Sequence, residues 1–138
     1  LYRVAFGAAS ASAEMPGHAL GQALTGGLGG RRLRIGHELP GSLARIEARA
    51  LALAAMCLAQ ALPRGGELTV QANGRWRVTA EGAGCHLPPA LQAAVAGETL
   101  PSGLRPAQVE FALLPAAAAS AGRRPMLDDG QGWMALGL

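Results

Sequence analysis

Residues 50–72 read ALALAAMCLAQALPRGGELTVQA, and this stretch decides the fold. Its first part continues a helical pattern that starts a little earlier. Leu43, Ile46, Ala50, Leu53, Ala54 and Cys57 fall at i, i+3, i+4 and i+7 intervals, a broad apolar helix face. Ser42 follows a Pro40-Gly41 turn and is placed to cap a helix over residues 42–62. Arg45 and Arg49 lie one turn apart on another face. Pro63-Arg64-Gly65-Gly66 then stops the helix, and from residue 67 the apolar period changes to two. The stretch is therefore a long helix, a tight stop and a strand.

Working outward, residues 67–72 and 75–80 form a hairpin. A two-residue loop would set Val70 opposite Arg77 on one face. A three-residue loop, Ala72-Asn73-Gly74, instead pairs Val70 with Trp76 and Leu68 with Val78. Thr69 and Arg77 then share a wet face. Gly82 to Gly84 make a turn, 88–96 a short helix and 97–103 a loop. Pro106 opens a helix with Val109, Leu113, Ala116 and Ala117 on one face and a kink at Pro115. Residues 123–127 and 133–138 read as a closing hairpin with Asp128-Asp129-Gly130 in its turn.

Upstream, residues 1–9 have helical spacing that stops at Gly7, and 10–14 read as a linker. A helix follows from about Pro16 to Leu28, ended by Gly29-Gly30. Residues 31–39 alternate as a strand, with Leu33, Ile35 and His37 on one side and Arg32, Arg34, Gly36 and Glu38 on the other. Beyond residue 9 the order is helix, strand, helix, strand, strand, helix, helix, strand, strand. That order fits an α/β two-layer sandwich (α+β), with a mixed or antiparallel sheet and its helices on one face.

The 138 residues are one domain by size. Half of them are hydrophobic but only 4% are aromatic, so the core is built from Leu, Val and Ala. All 12 basic residues are Arg and the net charge is +3, too little for a nucleic-acid surface. No apolar run is long enough to span a bilayer. Cys57 reads as a small core residue and Cys85 lies in a Gly-rich turn beside His86. Neither has metal-ligand spacing, and a reducing cytoplasm is the default compartment.

RVAFGA at 3–8, ALPRGGELTVQA at 61–72 and EGAGCHLPPAL at 81–91, in this order and spacing, carry a resemblance that covers nearly the whole chain. The chain resembles the C-terminal domain of alphaproteobacterial histidine phosphotransferases of the ChpT type. The resemblance implies a Bergerat-like histidine-kinase ATPase fold lacking its ATP-binding motifs. It implies that residues 1–9 end an upstream helical hairpin that dimerises the protein and carries the phosphoacceptor His before Leu1. Residues 10–138 are then the ATPase-like domain, and the partners are response-regulator receiver domains.

The residues can be compared with what a working kinase needs. The family's two helical Asn positions, which hold Mg²⁺, fall near Leu53 and Cys57, and neither side chain offers the oxygen that Mg²⁺ requires. The Asp that receives the adenine amino group falls on Ala80, ahead of Gly82-Ala83-Gly84. Glu81 is one residue off and points to the other face. Between residues 100 and 121 the only glycine is Gly103, so the glycine-rich lid is missing, and with no Lys in the chain a P-loop is excluded. No cofactor and no metal are expected.

His18, His37 and His86 lack the spacing of helical metal ligands and the flanking residues of a phosphoacceptor, and read as structural or surface residues. Arg32, Arg34 and Arg77 are candidates for a basic sheet face that meets an acidic receiver pocket, beside the plain reading of a solvated face. Tyr2 and Phe6 read as packing the hairpin helix on the domain, with partner contact as the second use. Two other functions stand beside the phosphorelay reading. They are an active ATP-binding kinase or ATPase domain, and a stand-alone protein-interaction module.

Overall fold

The computed structural model describes residues 1–7, 13–98 and 108–138. In chain order the elements are α1 (Tyr2–Phe6), β1 (Glu14–Pro16), α2 (Gly17–Leu28), β2 (Leu33–Glu38), β3 (Ser42–Ala44), α3 (Arg45–Ala59), β4 (Gly66–Gln71), β5 (Arg77–Glu81), α4 (Pro89–Val95), α5 (Val109–Ser120), β6 (Met126–Gly130) and β7 (Trp133–Gly137). The expected end of the first helix at 8–9, most of the 10–14 linker, most of the 97–103 loop and Pro106 lie outside the described residues.

Five strands form a mixed sheet in the order β2-β4-β5-β7-β6. β2 runs parallel to β4, with α3 as the crossover, and the other neighbours are antiparallel. Alternation sends Leu68, Val70, Val78, Ala80, Met134 and Leu136 into the core on one face. The helices cover that face, giving the expected two-layer α+β sandwich. The opposite face carries Arg34, Glu67, Thr69, Arg77, Thr79 and Glu81.

α3 is the centre of the core rather than a one-faced helix. Ala48, Ala50 through Ala55, Cys57 and Leu58 are all buried, because the sheet lies on one side while α1, α2 and α5 close the others. Small Ala side chains allow these close approaches. Phe111 and Leu114 of α5 and Leu20 and Leu24 of α2 supply the bulk that the chain's few aromatics do not.

Four local expectations are corrected. Ser42 is not a helix cap. Residues 42–44 pair antiparallel with β1, setting Leu43 against Met15, and the Ser42 hydroxyl donates to Glu14 at 3.3 Å. The helix starts at Arg45, and the Glu47 carboxylate accepts the Ala44 N–H at 3.3 Å.

The central hairpin pairs Val70 with Val78 and Leu68 with Ala80, one pair beyond the expected register. Both registers keep the same residues on each face, so side-chain alternation could not separate them. Trp76 closes the core at the loop end, 8% exposed, with the Arg123 guanidinium 3.3 Å from its ring centroid.

The last hairpin turns at Gln131-Gly132, where Gly132 has φ +78°, and Asp128 to Gly130 belong to β6. This strand is at the edge of the sheet, where its carboxylates meet water. Finally, α5 turns Glu110, Phe111, Leu114, Ala117 and Ala118 inward, not Val109 and Leu113. The helix is apolar on nearly every side, so its sequence does not orient it. It continues through Pro115, whose ring nitrogen gives no hydrogen bond to the preceding turn.

Candidate functional site

Leu53 and Cys57 lie one turn apart on α3, and neither exposes any surface. Ala80 lies on β5 between Leu68 of β4 and Met134 of β7, also fully buried. The three belong to one apolar core with Leu58, Leu62 and Phe111. Burial pushes the Cys57 thiol well above its ordinary pKa, and the nearby Glu110 carboxylate adds to the shift, so the sulfur stays a neutral thiol.

Glu81, one residue beyond Ala80, points to the opposite face and is exposed, as strand alternation requires. Gly82-Ala83-Gly84 follows as a tight turn, with the Gly82 N–H bonded to Gly132 and the Cys85 N–H to Gly82. Gly82 is needed for contact: a Cβ there would lie 2.5 Å from the Gly65 carbonyl oxygen. The Gly65-Gly66 stop after α3 and the Gly82 turn are thus two halves of one backbone crossing. Cys57 and Cys85 are both free thiols.

One polar group in this core escaped the sequence reading. Glu110 is 5% exposed and accepts a hydrogen bond from the Gln60 side-chain amide at the end of α3. Burial raises its carboxyl pKa, partly offset by its own backbone N–H and by Gln60. Nothing in the local sequence separates this Glu from an exposed helical one, since its partner is 50 residues away.

The histidines do not converge on a catalytic or metal-binding cluster. The His37 imidazole packs over Gly21 of α2, where a Cβ would fall 2.5–2.9 Å from the ring. His18 and His37 line one open hollow with Glu38 and Asn73. The His86 backbone N–H caps Ala61 at 3.0 Å. Among the described residues no group of three or more His, Cys, Asp or Glu side chains is placed to hold a metal.

The five residues expected to meet a partner fall on two sides of the sandwich. Tyr2 and Phe6 stack on α1, with ring centroids 4.5 Å apart. Phe6 packs against the core while Tyr2 is 71% exposed. Arg32 precedes β2 and its carbonyl accepts the Gly66 N–H.

Arg34 and Arg77 share the open sheet face but not one patch. The rows across the strands run Arg34, Glu67, Glu81 and Glu38, Gln71, Arg77, so the guanidiniums occupy diagonal corners. Arg34 lies 3.7 Å from Glu67 in an exposed pair, a weak interaction in water. The expected basic face is therefore one of mixed charge, because the same alternation that brings out Arg34 and Arg77 also brings out Glu38, Glu67 and Glu81.

This architecture has relatives. A model of the histidine phosphotransferase C-terminal domain matches residues 18–131. The chain belongs to that family, in agreement with the ChpT-type resemblance.

Among solved structures, a bacterial phosphotransferase superposes with a TM-score of 0.82 at 20% identity, covering 99% of this chain and 68% of its own. A histidine kinase from Burkholderia phymatum STM815 gives 0.53 at 20% identity, covering 91% and 68%. The histidine kinase domain of the blue-light activated histidine kinase from Erythrobacter litoralis EL346 gives 0.57 at 16% identity, covering 99% and 67%. At these identities the likeness is one of fold. No curated protein sequence matches the chain. No helix among the described residues is long and apolar enough to cross a membrane.

Proposed function

We propose that this histidine phosphotransferase domain serves a phosphorelay as a kinase-shaped body that does not bind nucleotide. It orients response-regulator receiver domains in the cytoplasm, while a His on an upstream helical hairpin carries the phosphoryl group. The observation that carries the proposal is the packing at Leu53, Cys57 and Ala80. Where a kinase places Mg²⁺-binding amides and an adenine-binding carboxylate, this chain places apolar side chains sealed in its core. A nucleotide with its Mg²⁺ does not fit that set, so no step in this account passes through ATP.

In the transfer itself the upstream imidazole attacks the phosphorus of the receiver's aspartyl phosphate. The P–N bond forms as the bond to the aspartate oxygen breaks, and the receiver supplies the Mg²⁺. The present domain adds positioning and supports the homodimer formed by the hairpin. Tyr2 supports the docking role best among the expected contacts, because an exposed aromatic is a common anchor in protein interfaces.

The test uses the full-length protein with a phosphorylated receiver in ATP-free buffer. Phosphoryl transfer to the protein, with no self-labelling from ATP and Mg²⁺, is the expected result. Self-labelling from ATP would overturn the proposal. Tyr2→Ala is expected to slow transfer while leaving the melting temperature unchanged. Unchanged transfer would remove Tyr2 from the docking surface.

A further inference from the structure

The helices lie on one face of the five-stranded sheet, and strand pairing orders the other face into rows. One outer row starts Arg34, Glu67, Glu81, and the opposite outer row starts Glu38, Gln71, Arg77. The row between them is small: Gly36, Thr69, Thr79 and Ala135, ending at Asp128 on the edge strand. We propose that this face is a self-complementary docking surface on which a second copy of the chain stacks, sheet on sheet, with the two-fold axis along the middle row.

Charge pattern carries the proposal. A half-turn about the middle row lays Arg34 on Glu38 of the other copy, Glu67 on Gln71 and Glu81 on Arg77, each contact occurring twice. The alternative half-turn, along the strands, sets Glu67 against its own copy and is disfavoured. The face holds two guanidiniums and four carboxylates. Glu67 is already 3.7 Å from Arg34 in its own chain, so Asp128, at the rim, is the one carboxylate that meets its like. A uniformly basic partner would satisfy the carboxylates but would set like charge against both guanidiniums, which stand at diagonal corners.

Shape agrees with charge. The small middle row lets two twisted sheets approach with aligned strands. At one end the Trp133 indole leans over Gly130, the position that faces Met126 of the other copy, and Met126 is 70% exposed. Strand and residue spacings give a footprint of roughly 300–400 Å² per copy, against about 800 Å² per partner in a standard stable complex. The contact is therefore a weak one that fills at high concentration. It is separate from the hairpin dimer proposed above and does not rest on the phosphorelay reading.

The test is sedimentation equilibrium and amide NMR on the intact chain, from micromolar to millimolar. Concentration-dependent dimerisation is expected, weakened by salt, with amide shifts centred on the open sheet face. R77E and E81R are each expected to weaken it about tenfold, because each sets like charges together at two places. The double variant R77E/E81R is expected to restore it. These residues stand about 13 Å apart on one strand, so their exchange restores nothing within a single chain. D128N is expected to tighten the dimer. All variants are compared as folded protein whose core amide spectrum matches the parent.

A chain that stays monomeric at millimolar concentration would overturn the proposal. So would a double variant as weak as either single one, a D128N dimer no tighter than the parent, or shifts centred on α1, which would mark a different contact.

Discussion

Cys57 lies fully buried on α3, at a position where the proposed function has a working kinase carry an amide. It belongs to the apolar core, with the Glu110 carboxylate nearby. Cys57→Asn is therefore expected to cost about 1–3 kcal/mol, because it buries a larger, polar amide in a core packed around a thiol. Denaturant unfolding measures the loss, and ATP with Mg²⁺ is expected not to restore it. Restoration by the nucleotide would mean that the site persists beneath the packing.

Glu110 predicts a pH effect. Its folded-state pKa is raised above the ordinary value of 4.5, chiefly by burial. The folded chain thus holds the proton more tightly than the unfolded chain, so this group's contribution to stability is full below the ordinary value. It is lost as pH rises through the raised one. Across that window the melting temperature of the parent is expected to fall relative to Glu110→Gln. Parallel pH curves would refute the assignment. Leu53, Cys57 and Ala80 were legible in the sequence because helical and strand periodicities place them inward. Glu110 was not, because its burial depends on Gln60 from a distant element.

At the scale of elements, packing between distant segments decides what propensity leaves open. The Arg123 guanidinium lies over Trp76, sits 3.8 Å from Glu47 and donates to the Leu138 carbonyl at 3.2 Å. It ties the exit of α5 to the start of α3 and to the last strand. Arg123→Ala is expected to cost about 1–2 kcal/mol and to change the Trp76 fluorescence. A neutral result would show that the stack contributes nothing measurable.

The backbone crossing gives a sharper case. Gly82→Ala would drive a methyl group into the Gly65 carbonyl and is expected to cost about 1–3 kcal/mol, read from the unfolding midpoint. Calorimetry showing no loss would contradict the contact.

The same dependence explains which elements could be read. α2, α3, α4 and β2 were legible from caps, stops and period. The β1–β3 ribbon was not, because three-residue strands carry no period and Ser42 after Pro-Gly imitates a helix cap. The inward face of α5 was hidden by its nearly uniform apolar surface, and the hairpin register by the shared parity of the two choices.

For the whole molecule, the five strands of the main sheet, their order along the chain among the helices and the one-sided helix layer follow from the sequence pattern, while the β1–β3 ribbon, the sheet order and the central position of α3 required the structure. The family match over residues 18–131 makes the chain a histidine phosphotransferase C-terminal domain, and the solved structures show a fold shared with histidine kinases. Under the proposed function, what would separate it from a kinase is the burial of Leu53, Cys57 and Ala80 in the core.

The most direct test is the melting temperature of the domain with and without millimolar ATP and Mg²⁺. A ligand at a hundred times its Kd stabilises the folded state by about 2.7 kcal/mol, which for a domain of this size raises the midpoint by roughly 10 °C. The account predicts no shift. A saturable rise that requires both ATP and Mg²⁺ would contradict it and restore the reading of an active nucleotide-binding domain.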